Sequence, residues 1–493
     1  MAERFERKYV SKLVPEDQRI LIPLLLCVAI VNSATLGYDS SVMNGLLMLP
    51  SYTEYFHLTT ATEGLNNAAM WMGGIIGAFL LQPVPDYFGR RRAIYIAAIV
   101  TFIGIILQAA SQNVPMFVIS RIIVGIGSGI SNGAAPTLLG ELLPPRTRSR
   151  ILGLFFSCYY VGSLASAIVN YGSQNIRSEW AWRLPSLLQF IPSALAVIIV
   201  PFVPESPRWL IAQGRDEEAL EVLVVMQGKN MANMEAGGRQ LREIKNAITY
   251  EAENYPRNPW REIISSRANR KRLAILCTFG PMINMFGNFI ISYYLTKILD
   301  QAGIKSTVTQ TQVQVIINCW SFAVAILGSF MLDILGRRLQ TFIGVSGMVV
   351  TLFLIGAFIK VFGETADNSK IYATIAIIFL FQGFYAFSIT PMTSLYPTEI
   401  SPFKLRATGI AIFRMLDSGF GLLASFAMAY AMANLGWKFY FINAAWDFVF
   451  LVIAYFIFVE TKGLTLEEID TKFEGPNESR TAIEDASSLK DQL

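Results

Sequence analysis

Asp39 stands in the stretch GYDSSVMNG, inside an apolar run that starts at Leu21 and continues past Leu49. In hydrocarbon a carboxylate costs about 3 kcal/mol or more, so Asp39 must be neutralised, paired or open to a water-filled cavity. A second charged pair, Arg414 and Asp417 in FRMLDSGFG, is three residues apart and shares a helical face. Such a pair can close on itself, or it can bind hydroxyls, take a proton or recognise a charged solute. Asn284 and Asn288 are four apart, so two planar amides on one face can address a single ligand. Tyr293 and Tyr294 follow in the same run, and Asn318, Gln382 and Tyr385 add polar groups to other apolar stretches, with helix–helix hydrogen bonding as the competing use. The single histidine, His57, falls in a loop and is not read as a proton relay. Cys27, Cys158, Cys277 and Cys319 all lie in apolar runs and are read as small packing residues. No phosphate-binding loop and no nucleophile constellation stands out, so no enzyme, cofactor or metal site is expected.

Positioning these groups falls to helices in a membrane. Of 493 residues, 53% are hydrophobic and only 15% charged, against about 25% charged in soluble domains. Twelve apolar windows are long enough to span a lipid bilayer, among them 66–84, 150–170 and 273–299. Arg90 to Arg92, Arg146, Arg148, Arg150, Arg337, Arg338, Lys404 and Arg406 all fall in loops between even and odd windows, which predicts both termini on the cytoplasmic face. The net charge of +4 follows that topology and does not suggest nucleic-acid binding. The expected order is a cytoplasmic tail at 1–20, a six-helix half at 21–203, a helical cytoplasmic linker at 204–272, a second six-helix half at 273–460, and a cytoplasmic tail at 461–493.

The halves repeat their loop signatures. DYFGRRR, from Asp86, recurs as DILGRR, from Asp333; ELLPPRTR, from Glu141, recurs as EISPFKLR, from Glu399. Two motifs in the same order indicate duplicated halves, which place a binding site near the midplane between them. Glycine allows the tight turn, and the acids and arginines can pair across neighbouring helix ends. Asp86, Arg90, Glu141 and Arg148, mirrored by Asp333, Arg337, Glu399 and Arg406, are therefore expected to form a cytoplasmic gating network.

With GYD in the first span, both D-x-x-G-R-R loops, PESPRWL at 204–210, the E-x-x-P-x-x-x-R pair and VETKGLTLEEID at 459–470, the chain resembles the sugar porters of the major facilitator superfamily. NSATLGYDSSVMNGL, SEWAWRLPSLLQ and GNFIISYYL look most like its fungal lactose-permease-like branch. The resemblance implies an all-α fold of 12 transmembrane helices in two pseudo-symmetric halves, alternating access, and a mono- or disaccharide as substrate; the plasma membrane is the expected location and a monomer the expected unit. It also implies proton coupling, because Arg121 matches an arginine that in proton-coupled members lies near the first-span carboxylate. Asn284, Asn288, Tyr293, Tyr294, Asn318, Gln382 and Asp417 are the expected substrate contacts. The chain departs from the family at Met282 and Ile283, where many members carry Gln-Gln, at Phe156 in the fifth span, and at Ser394, where the family has tryptophan. Those departures keep open a facilitative sugar carrier, or a carrier of a polyol, a quinate-like acid or a secondary metabolite. A sugar sensor is disfavoured, since about thirty residues follow VETKG where sensors usually carry a very long cytoplasmic tail.

Overall fold

In the computed structural model the described residues are 8–15, 17–143, 155, 157–227, 231–254, 259–362, 368–401, 405–464, 469, 472 and 473. Twelve long helices follow one another: α1 Gln18–Met48, α2 Thr60–Leu80, α3 Arg90–Ala109, α4 Val114–Leu142, α5 Tyr159–Ser173 and α6 Trp180–Phe202. The second set is α7 Arg267–Gln301, α8 Thr307–Leu335, α9 Arg337–Phe362, α10 Asn368–Ile400, α11 Arg406–Leu435 and α12 Lys438–Ile457. Ten of these are long and apolar enough to cross a membrane. The other two, α2 and α5, carry Asn66, Asn67, Ser163, Ser166 and Asn170 on buried faces, so their polarity is hidden among other helices rather than turned to lipid. Helices suit this environment because each backbone N–H and C=O is satisfied within its own segment.

The ends are set by side chains. Thr59 caps α2 in a reciprocal box with Thr62, Asn113 accepts from Met116 N at 2.9 Å ahead of Pro115 in α4, and Ser266 accepts from Asn269 N at 3.0 Å to start α7. Each such cap contributes about 1 kcal/mol. The capped first turn of α2 is polar, which is why the apolar window at 66–84 begins after the helix does.

Within the first half α1 packs on α5, and α4 on both α2 and α3; within the second, α7 packs on α11, and α9 and α10 pack together. The α1–α5 approach is limited by glycine: a Cβ on Gly37 would lie 1.9 Å from Tyr159 O, and one on Gly162 would lie 1.8 Å from Ala34 O. Two seams join the halves, α2 with α11 and α5 with α8. Small residues and hydroxyls line them: Gly421 lies under Trp71, Ser157 and Ser329 hydroxyls meet at 2.9 Å, and Thr311 donates to Gln174 at 2.8 Å. The end carrying the charged loops is called here the motif end. At the opposite end Lys297 of α7 pairs with Glu63 of α2, and Asn44 of α1 donates to Ile291 O at 3.5 Å.

The window at 273–299 reads as one span, but α7 breaks within it. Phe286 leaves the helix at ψ 152°, and the chain restarts at Asn288. Gly287 fits the break because a Cβ there would meet Leu352 at 2.8 Å and Asn443 at 2.9 Å. Asn443 of α12 donates to the freed Met285 carbonyl at 3.0 Å. Between the halves lie the helices Pro207–Ala212, Asp216–Gln227, Met231–Asn254 and Pro259–Glu262, of which Met231–Asn254 is long but polar. The Glu221 carboxylate, 3% exposed, takes the backbone N–H groups of Lys8, Tyr9 and Val10 at 3.2, 2.9 and 3.1 Å.

Candidate functional site

A cavity of about 240 Å³ lies between the halves, walled by α1, α2, α4 and α5 on one side and α7, α8, α10 and α11 on the other. Toward the motif end its walls continue through Ala78, Leu81, Gly129, Asn132, Thr390 and Thr393. Toward the opposite end it is closed by the Asn44–Ile291 contact and by a ring cluster, Phe289 stacked on Tyr293 at 4.4 Å with Trp71 6.0 Å from Phe289. Broken α7 carries this cluster, so the restart at Asn288 turns two aromatic rings toward α2.

The polar wall is densest where α7 meets α11. Asn284 Nδ2 donates to both the Asp417 backbone oxygen and its carboxylate Oδ1, each at 2.7 Å. Arg414 approaches the other carboxylate oxygen at 3.4 Å. All three line the cavity, together with Asn288, Tyr293, Asn318, Gln382 and Tyr385. Asn318 is partly committed to the α5–α8 seam, since Ser163 donates to its Oδ1 at 2.6 Å while its own amide donates to Gln314 O at 2.8 Å. Tyr294 departs from expectation. It does not line the cavity; its hydroxyl donates to Ser425 O at 2.6 Å, because a second irregularity at Tyr294 itself (φ −130°, ψ 25°) swings the ring toward α11.

Asp39 and Arg121 are both 0% exposed and neither lines the cavity. The arginine does not bond the carboxylate. Its Nη1 donates to the Asp39 backbone oxygen at 2.8 Å, and Nη2 contacts Met70 Sδ at 3.5 Å. The carboxylate itself accepts from Ser128 Oγ at 3.0 Å through Oδ2, while Oδ1 has no hydrogen-bond partner among the described residues. The carboxyl group and the guanidinium thus sit on neighbouring helices, close but not bonded to each other.

At the motif end the two halves build the same arrangement. Arg90 reaches Asp86 at 3.3 Å and Glu141 at 3.1 Å; Arg337 reaches Asp333 at 3.4 Å and Glu399 at 2.7 Å. Each cluster has a further carboxylate that was not among the expected residues. Glu205 accepts the backbone N–H groups of Arg90 and Arg91 at 3.0 and 3.2 Å, and Glu460 accepts those of Arg337 and Arg338, both at 2.9 Å. These acids close over the first turns of α3 and α9, where backbone donors are otherwise free. Ser206 and Thr461, the residues next to them, donate to Glu141 and Glu399. Burial raises the Glu205 carboxyl above its ordinary value, offset in part by the Ser206, Arg91 and Arg90 N–H groups. For Glu460 burial also acts upward, but four backbone N–H donors outweigh it and hold the carboxyl below its ordinary value. Arg148, Phe156 and the side chains of Ser394 and Arg406 lie outside the described residues.

Of the groups not anticipated, Ser128 and Trp71 offered no sequence signal, being a serine and a tryptophan in apolar helices. Glu205 and Glu460 did offer one, an acid a few residues past the last helix of each half, followed by Ser or Thr.

The "Sugar (and other) transporter" family model matches residues 25–473. The chain belongs to that family, within the major facilitator superfamily, and is an integral membrane transporter. It is 29% identical over 472 residues to an MFS glucose transporter of Aspergillus flavus, covering 90% of this chain and 88% of that one. It is also 28% identical over 481 residues to a quinate permease of Neurospora africana, covering 91% and 88%. The fold is that of the xylose transporter XylE from E. coli in a partially occluded inward-open conformation, with a TM-score of 0.75 at 23% identity, covering 90% of this chain and 100% of that one.

Proposed function

We propose that this chain takes up a sugar together with a proton across the plasma membrane by alternating access. In this reading the motif end, both termini and the 204–272 linker are cytoplasmic, and the structure is inward-facing. Asp39 carries the proposal. A buried carboxylate held by one serine hydroxyl, with a guanidinium resting on its own main-chain oxygen, can be matched by a proton in one state and by Arg121 in another. A permanently structural carboxylate would be expected to bond the arginine directly. The solute would lie against the Asn284–Asp417–Arg414 wall, with Asn288, Gln382 and Tyr385 as further donors and acceptors and Trp71 or Tyr293 offering a ring face. One protomer contains the whole cavity, which fits a working monomer. The charge clusters of Arg90 and Arg337 would gate by stiffening the helix ends that meet when the cytoplasmic side shuts.

The test is uptake of labelled glucose, lactose and quinate by transporter-deficient yeast expressing the wild type or Asp39→Asn, with and without outside acidification. Wild type should concentrate one of the sugars when the outside is acid. Asp39→Asn mimics the protonated side chain and should lose that accumulation while keeping downhill exchange. Accumulation by Asp39→Asn would remove the proton from this residue, and equal uptake by the wild type with and without the gradient would leave a facilitator.

A second reading has one observation in its favour: a guanidinium, Arg414, lines the cavity. A cation there suits an anionic solute such as quinate, which a relative's name also mentions. Preferential uptake of quinate in the same panel would select it.

A further inference from the structure

Asp39 lies off the solute cavity and meets its wall through Ser128, whose hydroxyl donates to the carboxylate. Behind α4 lies a second, small cavity of about 20 Å³, enclosed by α1, α3, α4 and α6 inside the first half. It shares Leu36, Ser128 and Asn132 with the wall of the solute cavity. One of these, Ser128, is the residue that donates to the Asp39 carboxylate. Its surface is mostly apolar, but Thr35, Thr101, Ser131 and Ser193 are also among its lining residues. Two buried atoms on its lining residues, Asn132 Oδ1 and Ser193 Oγ, have no hydrogen-bond partner among the described residues. Ser131 is already committed to Asn32 Oδ1 at 2.7 Å, and Asn32 in turn to Val28 O at 2.8 Å, so the lining is held in place.

A cavity of roughly 10–15 Å³ or more admits a water molecule provided two to four polar partners surround it. This pocket is large enough, and Ser128 Oγ, Ser193 Oγ and Asn132 Oδ1 on its lining residues are the candidate partners. We infer that it holds a water that relays the proton between Asp39 and the motif end, around the solute rather than past it. On release the Asp39 O–H bond breaks and its proton joins Ser128 Oγ as the hydroxyl's own proton passes to the pocket water. That water gives a proton to the next water, in the solute cavity beyond Asn132. Ser128 and the pocket water each finish with the bonds they began with, Asp39 is left as the carboxylate, and one positive charge has moved. Asn132 is one helical turn nearer the motif end than Ser128, so the relay rejoins the cavity beyond the Asn284–Asp417 wall. The proton and the solute can then leave the same open face without waiting for each other.

The inference rests on Asp39 being the proton carrier, and the experiment separates the two. Ser193 touches neither the solute cavity nor Asp39, so Ser193→Leu and the smaller Ser193→Val displace the water while leaving the solute site alone. Reconstituted vesicles give acid-driven accumulation of labelled glucose, or of quinate if that is the solute carried, alongside downhill counterflow and internal pH. Both variants should keep counterflow while accumulation and coupled acidification fall toward the level of Asp39→Asn. Counterflow also certifies folding; if Ser193→Leu loses it, Ser193→Val decides. Wild-type accumulation by a Ser193 variant, with Asp39→Asn inactive in accumulation, overturns the relay and leaves Asp39 as carrier. Accumulation by Asp39→Asn itself overturns both.

Discussion

Asn284 and Asn318 are both cavity-lining asparagines, yet their partners give them different duties. Asn284 supplies two hydrogen bonds to Asp417, and its removal leaves a buried carboxylate and a backbone oxygen short of a donor. A deficit of about 1–3 kcal/mol frees Asp417 from the geometry it offers the solute, a loss worth roughly five- to hundredfold in affinity. Asn284→Ala should therefore raise the apparent KM for the transported solute by that factor. Asn318→Ala should change KM much less, because its amide is spent on the seam with Ser163 and on Gln314 O. Uptake kinetics at matched surface expression would check the contrast, and equal effects would place Asn318 in the site as well. Spacing alone brought Asn284, Asn288, Arg414 and Asp417 into view, because helix periodicity is local. It could not show that Tyr294 faces α11, since a backbone irregularity decides that, nor that Ser128 rather than Arg121 holds the carboxylate of Asp39.

Among the helices, the starts of α3 and α9 look alike but answer acid differently. Glu460 lies below its ordinary value near 4.5, so it contributes stability above about pH 4.5 that is lost as pH falls through its lower folded value. Glu205 lies above that value. Its charged form is the costly one, and acidification through its raised folded value relieves the cost. Glu460→Gln should consequently lower thermal stability at pH 7, with the deficit shrinking toward pH 4. Glu205→Gln should be nearer neutral at pH 7. Melting curves of the detergent-solubilised protein between pH 4 and 7 would test both, and a matching pH response at the two sites would contradict the assignment. Helix number and the duplicated loops were readable because apolar length and motif order are properties of contiguous sequence. The break in α7 was not, since Gly287 is one glycine among many, and only Leu352 and Asn443, far away in the chain, require it.

For the whole molecule, the seams decide which end opens. At the end opposite the motifs, the Lys297–Glu63 pair joins the halves with side chains only partly shielded. A pair of that kind is worth about 0.2–1 kcal/mol, so Lys297→Gln should shift the balance between the two openings by roughly one- to fivefold. The alkylation rate of Gln314→Cys from the side opposite the motifs should rise in the Lys297→Gln background; an unchanged rate would mean that the Asn44–Ile291 contact and the ring cluster of Trp71, Phe289 and Tyr293 keep that end shut without the pair. The two-half architecture is legible in the repeated loop motifs. Which helices form the seams was not, because small residues and hydroxyls on α2, α5, α8 and α11 look the same in sequence whether they face their own half or the other.

The three backbone N–H groups of Lys8, Tyr9 and Val10 end on the single carboxylate of Glu221. A fluorophore attached at Lys8 would therefore not tumble freely; it would ride with the linker helices. Its anisotropy should report motion of the connection between the halves during turnover, and Glu221→Ala should loosen the segment and lower that anisotropy.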